Sequence, residues 1–207
     1  MKKKAFAAFI VIVIAIGFGL LSLLLSGEAY AVPAVFIESR KDGAKAAETI
    51  SGMINESLTT LAEVAAYEER GDLASAVFLI RNELGKIGAR QEQAQILAGA
   101  MEKMARAIID IKPASAQQIA LEAVSTQVAT VSRLVSYNEN LSDLFNLLND
   151  RMRGDVKATP EKIDRLVKRL NNESEAIGEL NTQFNKSLAQ FDAIFTGKLE
   201  IEAAPVL

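Results

Sequence analysis

The sequence predicts an all-α protein, in which an N-terminal transmembrane or signal helix precedes an antiparallel up-down-up-down four-helix bundle. Three observations lead to this prediction. A 21-residue stretch near the N-terminus carries no charge, apolar residues then recur at steps of three and four, and glycine and proline fall between four long stretches. A chain of 207 residues is long enough for one domain with a targeting segment.

The first element is a predicted membrane anchor over residues 5–25. As a helix, these residues would extend about 31 Å, which matches the hydrocarbon core of a bilayer. Lys2, Lys3 and Lys4 precede them and favour a cytoplasmic N-terminus. The sequence therefore predicts a single-pass membrane protein whose bundle is extracytoplasmic.

A cleaved signal peptide is the alternative interpretation of residues 1–31. Ala29, Tyr30 and Ala31 form an A-x-A cleavage site, and cleavage after Ala31 would give a secreted or periplasmic protein. The apolar stretch is longer than the roughly 7–15 residues of a typical signal peptide. The retained anchor is therefore the preferred prediction.

The bundle is predicted over residues 32–197, followed by a flexible tail over 198–207. Its helices are expected at about 38–70, 73–111, 116–153 and 160–196. Each would be at least about 50 Å long, and the short connections between them make neighbours antiparallel. Two long helical hairpins that complete their core by dimerising are the rival arrangement.

Residues with helix-capping chemistry set these boundaries. Glycine suits the left-handed position after a helix, Asp and Thr suit the N-cap, and a Ser with Gln three residues later forms a capping box. The predicted caps are Gly71, Asp72, Ser115, Gln118, Gly154, Thr159 and Pro160. Both predicted glycine stops lie in Arg-Gly-Asp triplets, which resemble the integrin-recognition motif, but capping alone accounts for them.

The apolar periodicity is that of a coiled-coil-like seam. On the second helix, the predicted seam consists of Leu73, Val77, Ile80, Leu84, Ile87, Gln91, Ala94, Ala98, Met101, Ala105 and Ile108. On the third, it includes Leu121, Val128, Val135 and Asn138.

Polar seam residues are predicted to share one level halfway along the bundle. Counting from the turns places Gln91, Asn138, Ser174 and Ser51 at that level. Such a layer could fix the register of the helices, enclose a hydrated gap or bind a small ligand. A cavity there larger than one water molecule would favour the ligand.

The composition excludes several classes of function. The chain has no Cys and no His, which excludes disulfides, thiolate nucleophiles, imidazole metal sites and Ser-His-Asp triads. Its net charge of −3 provides no basic surface for nucleic acid. We therefore expect no enzyme, no cofactor, no metal and no nucleic-acid partner.

The expected function is that of a non-enzymatic, membrane-anchored structural or accessory subunit that acts through protein–protein contacts. Its partners would be the membrane, through residues 5–25, and either an unknown protein or a second copy of the chain. A small-ligand-binding or sensor-type bundle is the alternative. The architecture resembles the ligand-binding bundle of bacterial chemoreceptors and sensor kinases in fold only, and the second membrane span of such receptors is missing from the sequence.

Overall fold

The computed structural model describes residues 31–155 and 158–196, and within them the chain is all-helical. The elements are α1 (Ala34–Glu69), α2 (Leu73–Gly85), α3 (Ile87–Ala107), a 3-10 turn (Ile108–Asp110), α4 (Ala114–Met152) and α5 (Pro160–Phe195). Since α2 and α3 follow one another almost without interruption, these form four long helical segments. The all-α prediction with four helices is confirmed.

The predicted anchor, the cleavage site up to Tyr30 and the predicted tail lie outside the described residues. Within the described part of the chain, no helix combines the length and the apolar character that a membrane span needs.

Neighbouring helical segments run in opposite directions. Along each pair, residue numbers rise on one helix as they fall on the other. Ser57–Glu83 and Gly43–Ala100 show this for α1 against α2 and α3. Arg90–Asn138 and Gln117–Ile108 show it for α4 against α3 and the 3-10 turn. Arg133–Glu173 and Ser187–Glu122 show it for α4 against α5. The described helices therefore form an antiparallel bundle.

Most of the predicted caps occupy cap positions. Gly71 and Gly154 adopt positive φ angles of 76° and 82°, a conformation that favours glycine. Asp72 is the N-cap of α2, and its carboxylate accepts a hydrogen bond of 3.1 Å from the Ser75 N–H. Thr159 stands at the N-cap of α5 and Pro160 in its first turn, although the Thr159 side chain makes no cap bond.

The start of α4 corrects one prediction. The helix begins at Ala114, with Pro113 at the N-cap and no side-chain cap bond. Ser115 therefore lies inside the first turn, and the capping box with Gln118 is not formed. The neighbouring Gln117 side chain instead donates to the Ile108 carbonyl at 3.1 Å, which also accepts from the Ile111 N–H at 3.0 Å.

The second predicted helix is interrupted at Lys86 and ends earlier than expected. Gly85 and Gly88 flank Lys86, and glycine weakens a helix because its backbone loses more freedom on folding. The Lys86 N–H bonds to the Glu83 carbonyl at 3.0 Å, a tightened turn, and the helical path then resumes in α3.

The predicted seam of the second helix is wrong at alternate positions. The sequence pattern assigns to the seam three residues that are exposed in the structure, namely Gln91, Ala98 and Ala105. The buried residues lie one position earlier, at Arg90, Leu97 and Met104. The buried series also includes Glu83. Because charged residues are seldom buried without a partner, the sequence pattern favours the seam through Gln91 over the one through Arg90.

On α4 the same error concerns three apolar side chains. Leu121, Val128 and Val135, seven residues apart, are 55%, 54% and 39% exposed. We call them the α4 stripe. Since the core takes Gln127 and Leu134 instead, α4 carries more apolar seam positions than the described bundle buries.

Aromatic side chains join α1 to α5 near the ends of the described chain. The ring centroids of Phe36 and Phe191 are 5.4 Å apart, and those of Phe191 and Phe195 are 5.0 Å apart. Beside them, the Arg40 guanidinium donates to both carboxylate oxygens of Asp192 at 2.7 and 2.8 Å. The phenylalanines of α5, which are Phe184, Phe191 and Phe195, are all buried and contribute to the core.

The close packing of α1 on α3 depends on Gly43. A Cβ atom at this position would lie 2.8 Å from Met101 Cε and 3.5 Å from Ala100 Cβ. We expect Gly43→Leu to destabilise the fold by about 1–3 kcal/mol, because the added side chain would overpack this contact. Urea denaturation followed by circular dichroism measures the change.

Gly52 provides a matched control on the same helix. It is exposed, and no atom lies within 4 Å of its would-be Cβ. Gly52→Leu should stabilise the protein by about 0.5–1 kcal/mol through helix propensity. Equal stabilities for the two variants would contradict the assigned α1–α3 contact.

Candidate functional site

A buried polar cluster lies where α2 meets α3. It consists of Glu83 and Arg90, with Ser57 from α1 and Asn138 from α4, and we call these four residues the polar cluster. Glu83 is 1% exposed and Arg90 3%. The cluster therefore places a full ion pair inside a bundle whose other buried polar side chains, among the described residues, are uncharged.

Every member of the polar cluster is linked to Arg90. Its Nη1 donates to Glu83 Oε1 at 2.5 Å and to Ser57 Oγ at 2.8 Å, and its Nε donates to Asn138 Oδ1 at 2.7 Å. The Ser57 hydroxyl in turn donates to the Glu83 carboxylate. One guanidinium thus joins three of the four helical segments.

The local sequence explains how the two charges meet. Glu83 and Arg90 are seven residues apart, which places them on one face across the interruption at Lys86. Lys86 lies at the edge of the same cluster, with its Nζ 3.3 Å from Glu83 Oε2 and 3.3 Å from Glu56 Oε2.

The environment keeps the ion pair charged at neutral pH. Burial acts to raise the pKa of Glu83, but hydrogen bonds from Ser57 and Arg90 and the charges of Arg90 and Lys86 outweigh it and lower the pKa from its ordinary 4.5. Burial also raises the pKa of the nearby Tyr137 phenol to about 12, against the opposing effect of the Arg90 charge.

One donor of Arg90 is left without a partner. Its Nη2 is buried, and no described residue accepts a hydrogen bond from it. A buried unpaired donor costs about 1–3 kcal/mol, and more when it is charged, so an acceptor supplied from outside the chain would recover that free energy.

A cleft of about 200 Å³ borders the polar cluster and is enclosed by α1, α3 and α4. Its inner wall is formed by side chains that are themselves buried: Ile50, Ile54, Arg90 and Leu134. Its mouth is formed by exposed side chains: Gln91, Val135, Glu139 and Asp143. We call this space the cleft, and it is larger than a single water molecule requires.

The structure brings together two of the four predicted layer residues. Gln91 and Asn138 both line the cleft, Gln91 at its exposed mouth and Asn138 through its bond to Arg90. Ser51 is buried on α1 and Ser174 is half-buried on α5, and neither lines the cleft.

Sequence reasoning missed Ser57, Glu83 and Arg90. A signal for the charged pair was present, since Glu83 and Arg90 continue the seven-residue series of Ala76, Leu97 and Met104. Two opposite charges in step with apolar residues indicate a paired, buried position. For Ser57 we find no comparable signal.

The chemistry that the cleft can offer is binding. It is lined by apolar side chains, by Arg90 and by the side-chain amides of Gln91 and Asn138, all within one small space. Among residues 31–155 and 158–196, no group of three or more acidic residues is arranged to hold a metal ion.

Removing one charge of the polar cluster should be costly. In Arg90→Met the Glu83 carboxylate stays buried without its cation, so we expect a loss of about 3–5 kcal/mol in the free energy of unfolding. The double variant Glu83→Gln/Arg90→Met should recover part of this loss, because no buried charge is then unpaired. Urea denaturation of the four members of this double-mutant cycle gives the coupling energy.

Arg133→Met is the matched control. Arg133 pairs with Glu173 at 3.3 Å on the surface, and such a pair contributes about 0–1 kcal/mol. If Arg90→Met cost no more than Arg133→Met, the buried ion pair would not hold the bundle together.

The chain matches no protein-family model, and neither the curated proteins nor the solved structures with which it was compared include a match. What the protein does is therefore inferred from its own geometry.

Proposed function

We propose that this chain is a non-enzymatic helical-bundle protein that binds a small ligand in the cleft. The observation that carries the proposal is the unpaired Nη2 of Arg90, which belongs to a side chain lining a cavity of about 200 Å³. A cavity at the level of Gln91 that is larger than one water molecule favours ligand binding over a function through protein contacts alone.

Binding in the cleft would act on the whole bundle. A ligand there would touch α1, α3 and α4 together, bury apolar area against Ile50, Ile54 and Leu134, and provide an acceptor for Arg90. Because it would bind the folded state and not the unfolded chain, it would raise the stability of the bundle by mass action.

We place this domain outside the cytoplasm and tether it to a membrane. The support is the basic start at Lys2, Lys3 and Lys4 followed by the uncharged residues 5–25. Secretion after cleavage at Ala31 is the alternative, and the mass of the purified protein distinguishes an intact chain from a cleaved one.

The cleft can be tested by filling it. Small amphiphilic amines, alcohols and carboxylates are screened for those that raise the melting temperature of the full-length protein. We expect Ala94→Leu to abolish the effect of every hit, since Ala94 lines the cleft and the larger side chain would occupy it.

Ala98→Leu is the control, one turn further along the same helix. Ala98 is exposed and does not line the cleft, so this variant should respond to the hits as the wild type does. The proposal fails if no compound stabilises the wild type, or if Ala94→Leu and Ala98→Leu respond alike.

Protein–protein contact through the α4 stripe is the second candidate function. Leu121, Val128 and Val135 repeat every seven residues, the spacing at which a partner helix packs. The exposed apolar stripe extends about 21 Å along α4. It supports docking of a second copy of the chain or of a helical partner.

The α4 stripe makes a specific prediction for self-association. Multi-angle light scattering of the full-length protein should show a dimer that Leu121→Lys/Val128→Lys converts to a monomer, since two charges would be placed in the contact. Ile109→Lys changes an apolar side chain that is 77% exposed and is not on α4, and it should leave the dimer intact. A monomeric wild type would exclude self-association by this surface.

A further inference from the structure

The mouth of the cleft is acidic. Glu139 and Asp143 lie four residues apart on α4, so both project from one side of the helix. Both are exposed, and neither forms an ion pair within the described chain. A cationic group at the mouth would therefore be attracted.

Of the two carboxylates, Glu139 should attract a cationic group more strongly than Asp143. Asp143 also borders a groove between α4 and α5 that contains Lys162, Arg165 and Arg169, whose charges offset its own. Glu139 does not line that groove. The acidic character of the mouth is therefore tested most directly at Glu139.

The inner end of the cleft is close to neutral. The charge of Arg90 is balanced by Glu83 at 2.5 Å, and Lys86 lies 3.3 Å from both Glu83 and Glu56. A carboxylate on the ligand would meet no uncompensated positive charge here, and it would lie near the buried Glu83 carboxylate. A neutral oxygen can accept from Nη2 without adding a charge to a buried site.

Apart from Arg90, the inner wall of the cleft is apolar. Ile50, Ile54 and Leu134 are 5%, 7% and 7% exposed, and they line the cleft beside Arg90. A branched aliphatic body would bury its surface against them, at about 25 cal/mol per Å². The cleft therefore presents three requirements: a cation at the mouth, and both an aliphatic body and a neutral acceptor at the inner wall.

We propose that the cleft binds a small organic cation with an aliphatic body and a neutral oxygen acceptor, of which an amino alcohol is the simplest example. This inference rests on the proposed ligand-binding function and specifies the class of ligand. The ammonium group lies at Glu139, and the hydroxyl accepts a hydrogen bond from Arg90 Nη2.

Four compounds with one carbon skeleton test the assignment by isothermal titration calorimetry on the full-length protein. Leucinol has both groups, 4-methylpentan-1-ol lacks the amine, 1,3-dimethylbutylamine lacks the hydroxyl, and leucine replaces the hydroxymethyl group with a carboxylate. We expect leucinol to bind most tightly. 1,3-Dimethylbutylamine and leucine should bind about tenfold more weakly or worse, the factor that corresponds to about 1.4 kcal/mol. 4-Methylpentan-1-ol should bind up to about fivefold more weakly, the factor that corresponds to about 1 kcal/mol, because an ion pair at an exposed carboxylate contributes no more than that.

Glu139→Gln should lower the affinity for leucinol to about that for 4-methylpentan-1-ol and leave the affinity for 4-methylpentan-1-ol unchanged. Glu92→Gln is the matched control, because Glu92 is an exposed carboxylate that does not line the cleft. Loss of leucinol binding in both variants would overturn the assigned role of Glu139.

The outcomes separate this inference from the proposed function. Equal affinities for all four compounds, or tightest binding of leucine, would overturn the ligand class and leave a small-molecule site in place. If none of the four binds, the ligand class is overturned. The melting-temperature screen then still decides whether the cleft binds other compounds, since Ala94→Leu should abolish their stabilising effect.

Discussion

The buried ion pair between Glu83 and Arg90 is the constraint on which the rest of the bundle depends. Removing two charges from water costs several kcal/mol, and the cost is offset only when geometry and further hydrogen bonds are good. Here Ser57 and Asn138 supply those bonds from α1 and α4. The pairing is possible in one alignment of the three segments, since a slip along any of them would leave a charge or an amide buried without its partner.

The ion pair therefore fixes the register of the helices. The sequence indicates this as one role of the polar layer that includes Gln91. The difference is one residue along α3, but it changes what the middle of the bundle contains. An amide at that level would give a neutral layer, whereas Arg90 introduces a planar donor with more hydrogen-bonding capacity than its neighbours satisfy. The cleft and its unpaired donor are therefore consequences of the same residue that aligns the helices.

The architecture was predictable because helix caps act through neighbouring residues. The site was not, because it depends on contacts between residues far apart in the sequence. Gly71, Asp72 and Gly154 act through their own backbone or the next turn, so their roles were visible in the sequence. Arg90 is stable in the core because Glu83 balances its charge and because Ser57 and Asn138, which are 33 and 48 residues away, lie beside it. Hydrophobic pattern alone ranks Glu83 and Arg90 as surface residues, and this shifted alternate seam positions on the second predicted helix.

The shifted frame also explains the surplus of apolar side chains on α4. Its sequence supports two overlapping seams, one through Leu134 that the core uses and one through Val128 and Val135 that it leaves exposed. Val135 belongs to both the α4 stripe and the mouth of the cleft. A partner on the stripe would therefore lie against the opening of the cleft, so protein contact and ligand binding would compete or cooperate instead of acting independently.

Both ends of the described chain leave from one end of the bundle. Ala31 and Lys112 exchange backbone hydrogen bonds of 3.2 and 3.0 Å beside the start of α4, and Phe36 lies against Phe191 near the end of α5. The turns at Gly71 and Gly154 lie at the far end, about 50 Å away along helices of 36 residues. Tension between the two chain ends would therefore act first on the phenylalanines and the Arg40–Asp192 pair, where α1 meets α5, because elsewhere α1 packs mainly on α3 and α2.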